Sequence, residues 1–252
     1  MKRGYLVANP AIGTAPKQSR VKQSRPELWF ITERELETAV RLAGAHGDLL
    51  SVTVGTGLRF GEVSALWVTD VDLDHRTIRV TKAWKRNGED DATDTPGWLA
   101  KQLKPKHTMR DHHLGNPKTP KSRRTITMSP AVAPVLRQQI LSKQPEDFVF
   151  TSRTSLPLHN GDFYTHVWRK MMKALAAGGV APFRFHDLRH THVAWLVAGG
   201  APLPHIQARL GHESITTTID TYGHLLPAGD ELISGIIDTA LTGGIIRPKA
   251  GS

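Results

Sequence analysis

The chain has 252 residues, a hydrophobic content of 39% and a net charge of +10, with 33 Lys and Arg against 23 Asp and Glu. That length buries a real core in one large domain or two small ones, and no uninterrupted apolar run approaches the roughly 20 residues of a membrane span. The absence of cysteine excludes disulfides and cysteine-ligated zinc and fits a reducing compartment, while the basic balance favours a polyanionic partner, usually nucleic acid.

Residues 1–26 carry Pro10, Gly13, Pro16 and Pro26 without periodicity and read as a linker or extended arm; the short apolar patch after Met1 breaks at Asn9-Pro10, which argues against a signal peptide. Thr32 followed by Glu35 is a capping-box pattern and starts a helix through Leu36, Val40 and Leu42. "DLLSVTVGTGLRFGEVSALWVTDVDL" gives a helix, a Gly-Thr-Gly turn at 55–57 and a second helix through Val63 and Leu66. A polar turn near Asp74-His75 before the alternating Ile78 and Val80 signals a β-hairpin. Residues 85–117 are polar and broken by Gly and Pro, which predicts a long functional or mobile loop. "RRTITMSP" resumes as a strand, Pro130 opens another helix, and residues 162–177, 186–198, 203–210, 214–222 and 230–240 read as further helices. The expected class is α+β, mostly α, with a small antiparallel sheet between residues 67 and 129.

Four places carry candidate chemistry. "RFHDLRHTHVAWLV" (184–197) sets His186 and Arg189 on one face at a helix start, where free N–H groups and the macrodipole suit an anion. His186 and His190 also have the i, i+4 spacing of a zinc pair, with His192 or His212 as a third ligand, but Arg189 on the same face opposes a dication. "GTGLRFGE" (55–62) places Arg59 after a glycine turn with Glu62 one turn on, a pairing suited to a bidentate phosphate grip; taken alone it fits an ordinary surface Arg paired with its i+3 Glu better. "NPKTPKSRRTITM" (116–128) puts Lys118 in a turn before a strand, and "LGHESITTTIDTYGHL" (210–225) puts His212 after a glycine and Tyr222 at the end of a short helix. Residues 101–124 hold eight Lys/Arg against one acid, Asp111, a charge run of the kind that tracks phosphates. Arginines, a lysine, two histidines and a tyrosine suit transfer of a phosphodiester to the tyrosine oxygen, since cationic donors stabilise the added negative charge without a metal. A phosphotyrosine keeps the bond energy, so resealing needs no nucleotide cofactor.

These segments resemble the catalytic domain of the tyrosine recombinases, the phage-integrase family. "TGLRFGE", "PKTPKSRRTI", "HDLRHTH", "LGHES" and "DTYGHL" occur in the family's order and cover roughly residues 27–226. The resemblance implies a three-stranded antiparallel sheet beside the helices and a catalytic set of Arg59, Lys118, His186, Arg189, His212 and Tyr222, supported by Glu62. Arg59, Arg189 and His212 would bind the scissile phosphate, Lys118 would protonate the leaving oxygen, His186 would assist proton transfer, and Tyr222 would form a 3′-phosphotyrosine. Lys121 is the alternative to Lys118, and Lys121, Arg123 and Arg124 are expected DNA contacts. His190 and His192 take supporting or structural roles, and no metal or cofactor is expected.

The same resemblance divides the chain into a linker or remnant of an absent core-binding domain at 1–26, a catalytic domain at 27–226 and a tail at 227–252. It implies double-stranded DNA as partner, a homo-tetramer on DNA, a free monomer, no membrane association, accessory DNA-bending or directionality factors, and a cytoplasmic, nucleoid-associated place in a prokaryotic cell. Leu232, Ile233, Ile236, Ile237 and Leu241 recur at helical spacing in the tail; they fit either a helix packed on its own core or one donated to a neighbouring subunit. A DNA-binding remnant without turnover and a type IB topoisomerase-like activity stand as alternatives.

Overall fold

Thr32 starts the first helix as its spacing to Glu35 predicts: the Thr32 hydroxyl accepts from Glu35 N at 3.3 Å and the Glu35 carboxylate accepts from Thr32 N at 2.8 Å. The structure, a computed structural model, describes residues 30–86, 99, 101, 112–115, 122–225 and 229–242. Helix α1 (Glu33–Ala43) packs on α2 (Gly47–Thr56), which also meets later helices on its other sides. Burial on several faces explains the near-continuous apolar sequence of α2. Its two inward threonines are satisfied locally, Thr53 and Thr56 donating to the Leu49 and Val52 carbonyls. Gly57, at φ +72°, ends α2 in the left-handed region.

Helix α3 (Phe60–Val63) is one turn long, shorter than expected. The chain leaves it at Ser64 and turns extended at Trp67, which bridges to Phe148 while Leu66 O accepts from Val149 N. Strands β1 (Val71–Asp72), β2 (Thr77–Val80) and β5 (Arg124–Thr127) form the expected three-stranded antiparallel sheet, in the order β1-β2-β5. Ile78 lies opposite Ile126, and both side chains enter the core.

The region expected as a loop is corrected in part. Strand β3 (Ala83–Arg86) pairs with β4 (His112–Gly115), Trp84 opposite Leu114. Leu114 buries with Ala65, Leu99 and Phe148 in a small cluster, so tertiary packing selects a strand that local polarity conceals.

Helix α4 (Val132–Ile140) follows, then α5 (Asn160–Phe163), which runs through a π-helical turn, Tyr164–Trp168, into α6 (Arg169–Ala177). The remaining helices are α7 (Phe185–Ala198), α8 (Leu203–Leu210), α9 (Ile215–Tyr222) and α10 (Gly229–Thr242). The fold is α+β and mostly helical. The main core joins Leu49, Leu50, Leu58, Ile78, Leu136 and Leu188, while Val193, Val197, Ile206, Leu210 and Tyr222 form a separate cluster between α7, α8 and α9. On α10, Ile233, Ile236, Ile237 and Leu241 are each more than half exposed, so the tail helix is not packed on its own core through these residues. Among the described residues, no helix is long and apolar enough to cross a membrane.

Candidate active site

Two left-handed glycines, Gly57 and Gly211, deliver the polypeptide to one point from distant parts of the sequence. Past Gly57, Arg59 caps α3. Its backbone N–H donates to Glu62 Oε2 at 2.9 Å and its guanidinium to Oε1 at 3.0 Å. Glu62 is 3% exposed and also receives both terminal nitrogens of Arg124 at 3.1 Å. Burial alone would raise the Glu62 pKa; the hydrogen bonds and charge of Arg124, with the charge of Arg189 and the Arg59 amide, hold it at about 2 instead. Glu62 is therefore an anion whose function is to organise arginines.

Helix α7 begins after Arg184, whose N–H donates to the Asp187 carboxylate at 2.6 Å. One turn on, Arg189 is 1% exposed. It donates to Gly57 O at 2.5 Å, to Leu210 O at 2.8 Å and to His212 Nε2 at 3.1 Å, and its guanidinium lies 4.0 Å from Glu62. Burial and the charge of Arg59 lower its pKa to about 9 against the opposing pull of Glu62, which leaves it cationic at neutral pH. Because arginine can only donate, His212 presents a lone pair at Nε2. Its other nitrogen, Nδ1, then carries the proton and donates to Thr218 Oγ1 at 3.0 Å. Burial, followed by the charges of Arg189, Arg59 and Arg124, pushes the His212 pKa down to about 4.

Tyr222, at the end of α9, is 2% exposed. The sequence sets this tyrosine among small polar residues, yet its ring packs in the α7–α9 cluster. Its hydroxyl lies 2.6 Å from His190 Nδ1. Burial raises the phenol pKa to about 12, although Arg189 and Arg59 oppose the rise. His186 retains an exposed edge and meets His190 edge-on, with ring centroids 4.9 Å apart. Packing around the rest of its ring, then the His190, Arg189 and Arg59 charges, lowers its pKa to about 4.

The structure thus brings together Arg59, Glu62, His186, Arg189, His212 and Tyr222. Arg59 stays partly open, its side chain 39% exposed, in front of the buried Arg189. Such an array can receive an oxyanion on fixed cationic donors beside a protonated phenol. Lys118 and Lys121 lie outside the described residues. Arg123 is exposed. Arg124, expected as a DNA contact, is instead buried with a side-chain exposure of 6%. Its Nε donates to Arg209 O at 2.6 Å and its terminal nitrogens to Glu62 and Ser122 O, so four of its five N–H donors are turned inward, away from a phosphate. The metal alternative meets a direct obstacle. Both candidates for the third ligand have their ring nitrogens engaged: His192 donates to Val54 O at 2.7 Å and accepts from Arg209 at 2.9 Å, and His212 accepts from Arg189 and donates to Thr218. Sequence reasoning left His190 in a supporting role and missed Thr218 altogether; nothing local signals a partner 32 positions along the chain.

Residues 102–228 match the model of the phage integrase family. The chain is 26% identical to a tyrosine recombinase XerC-like protein of Caldanaerobacter subterraneus subsp. tengcongensis over 243 residues, 89% of this chain and 58% of that protein. It is 29% identical to the ICEBs1 integrase of Bacillus subtilis over 197 residues, 74% of this chain and 46% of the integrase. The chain spans about half the length of these curated relatives. The Tn1549 transposon integrase, solved in complex with transposon right end DNA, superimposes with a TM-score of 0.67 at 22% identity, covering 87% of this chain and 69% of that one, a likeness of fold. The matched stretch amounts to half of the chain and contains Lys118, His186, Arg189, His212 and Tyr222, with Arg59 and Glu62 brought to the same site from upstream. The chain belongs to the phage integrase family.

Proposed function

We propose that residues 27–226 form the catalytic domain of a site-specific DNA recombinase, which breaks and rejoins strands through a phosphotyrosine on Tyr222. The observation that carries this reading is that Arg59 and Arg189 share one buried carboxylate, His212 sits on Arg189, and Tyr222 lies close enough to feel the charge of both arginines. Arg59 and Arg189 neutralise the scissile phosphate, and their charge stabilises the additional negative charge of the pentacoordinate transition state. His212 is oriented by Thr218 to act on the same oxygens. Tyr222 attacks phosphorus, and the leaving 5′ oxygen takes a proton from Lys118 or Lys121. His186 assists proton transfer at the tyrosine. The buried phenol is not ionised at rest, so attack waits for bound DNA.

Residues 1–26 serve as a linker ahead of the catalytic domain. The exposed apolar side of α10 supports donation of the tail to a neighbouring subunit in a tetramer on DNA, with the free chain a monomer. The protein works on the nucleoid in the cytoplasm of a prokaryotic cell, with accessory DNA-bending or directionality factors. The direct test is incubation of the chain with a pool of nicked duplexes of randomised sequence, followed by a denaturing gel. Wild type forms a covalent protein–DNA adduct and Tyr222→Phe forms none. An adduct that persists in Tyr222→Phe assigns the nucleophile elsewhere, and DNA retention without any adduct favours the binding-remnant alternative.

A further inference from the structure

The contact of Tyr222 with His190 goes beyond the catalytic set implied by the family motifs. Among the described residues, the Tyr222 hydroxyl has one hydrogen-bond partner, His190 Nδ1, at 2.6 Å. His186, to which the motif assigns proton transfer, reaches this pair through a ring contact with His190 rather than through the tyrosine oxygen. His190 sits on α7 one turn beyond His186, on the face that α9 covers, and it is 9% exposed. A phenol has one proton to donate and a neutral imidazole has one nitrogen to accept it. The tyrosine ring is held in the apolar cluster of Val193, Val197, Ile206 and Leu210, so its hydroxyl is delivered to this nitrogen by packing.

We infer that His190 Nδ1 is the proton acceptor for Tyr222 during phosphoryl transfer, and the proton donor when the phosphotyrosine is resolved. The inference rests on the reading of Tyr222 as nucleophile. As the Tyr222 Oη–P bond forms, the phenol O–H bond breaks and its proton passes to His190 Nδ1. The P–O bond to the leaving group breaks, and that oxygen departs with the electron pair, protonated by the lysine general acid when it is a 5′ oxygen. On rejoining, the 5′ hydroxyl attacks phosphorus and gives its proton to the now neutral lysine, the Tyr222 Oη–P bond breaks, and His190 returns its proton to the tyrosine oxygen. Burial lowers the His190 pKa, with Arg184 and Arg189 lowering it and Asp187 opposing them. The imidazole therefore stays neutral and able to accept at neutral pH, and the approach of an anionic phosphate strengthens it as a base. His186, exposed at the mouth and facing Arg189 and Arg59, assists this transfer from the side, through its ring contact with His190.

The test uses randomised duplexes with a 3′ terminal 4-nitrophenyl phosphate ester, whose leaving group needs no general acid, so that only the nucleophile side is reported. Adduct formation is followed on a denaturing gel from pH 6.5 to 9. Wild type is expected to show a rate nearly independent of pH. His190→Asn retains an acceptor near the Nδ1 position but no basicity. Its rate is expected to fall about 100-fold at pH 7 and to rise about tenfold per pH unit, as an unaided phenol must ionise. A flat profile in His190→Asn, at either the wild-type or a reduced rate, overturns the inference, because a merely positional role leaves the pH dependence unchanged. If wild type gives no adduct, or Tyr222→Phe gives one, the underlying function has failed rather than the histidine assignment. Should His190→Asn not fold, ¹⁵N spectra of the wild-type imidazole decide: an unprotonated Nδ1 whose resonance moves in Tyr222→Phe supports the assignment, and a protonated Nδ1 overturns it.

Discussion

Replacing Glu62 with Gln isolates the role of the buried carboxylate, since the shape is kept and only the charge is removed. A carboxyl held at about 2 rather than 4.5 stabilises the folded state by about 3 kcal/mol at neutral pH. Removing it also leaves the cations of Arg124 and Arg189 buried without an opposing charge, a change that costs about 3–5 kcal/mol in comparable sites. The sign follows from the lowered pKa. The stabilisation is complete above the unfolded value of 4.5 and is lost as the pH falls toward 2. Urea unfolding followed by circular dichroism should therefore give a wild-type advantage of about 3 kcal/mol at pH 7, narrowing to about 1 kcal/mol at pH 3. At neutral pH the thermal midpoint should fall by roughly 10 °C. An advantage below about 1 kcal/mol at pH 7, or one that does not shrink by pH 3, would show that Glu62 does not hold these arginines by charge.

Three further outcomes are expected. Arg124→Lys cannot serve Glu62, Arg209 O and Ser122 O together, and should cost about 2–4 kcal/mol of stability while leaving the salt dependence of DNA binding unchanged; an altered salt slope would return Arg124 to the DNA surface. Gly57→Ala forces a non-glycine residue to φ +72° and brings its Cβ within 2.6 Å of His192 Cδ2, so a loss of at least about 1–2 kcal/mol is expected in the same urea assay, and a neutral substitution would refute this account of the turn. Deleting residues 229–252 should change the thermal midpoint of the free chain by less than about 2 °C, because the described apolar residues of α10 bury little, but should abolish higher assemblies on DNA in analytical ultracentrifugation; unchanged assembly would refute the donated-helix reading.

The parts of the fold that were legible in the sequence are those decided by local chemistry. The Thr32–Glu35 box, the glycine that ends α2 and the alternation through Ile78 and Val80 each act over a few residues. Strand β4 was hidden because its pairing with β3 depends on a burial partner, Phe148, far along the chain. In the candidate site, motif order brought out Arg59, Arg189, His212 and Tyr222, since each stands beside a turn or helix end with recognisable chemistry. The burial of Arg124 was hidden because a run of positive charge looks the same whether an arginine faces water or a buried carboxylate. The link from His190 to Tyr222 was out of reach for a related reason: the packing of α7 against α9 creates it.

Arg189 binds the ends of two turns that lie 132 and 21 positions from it in sequence. Contacts of such separation close late in folding, since their loop-closure entropy is recovered only once the intervening elements are in place. The seat of the buried arginine therefore does not exist in a partly folded chain. If the proposed strand cleavage holds, this arrangement is a safeguard: a nascent, damaged or half-degraded molecule still holds a tyrosine, but not the cationic seat that would make the tyrosine dangerous.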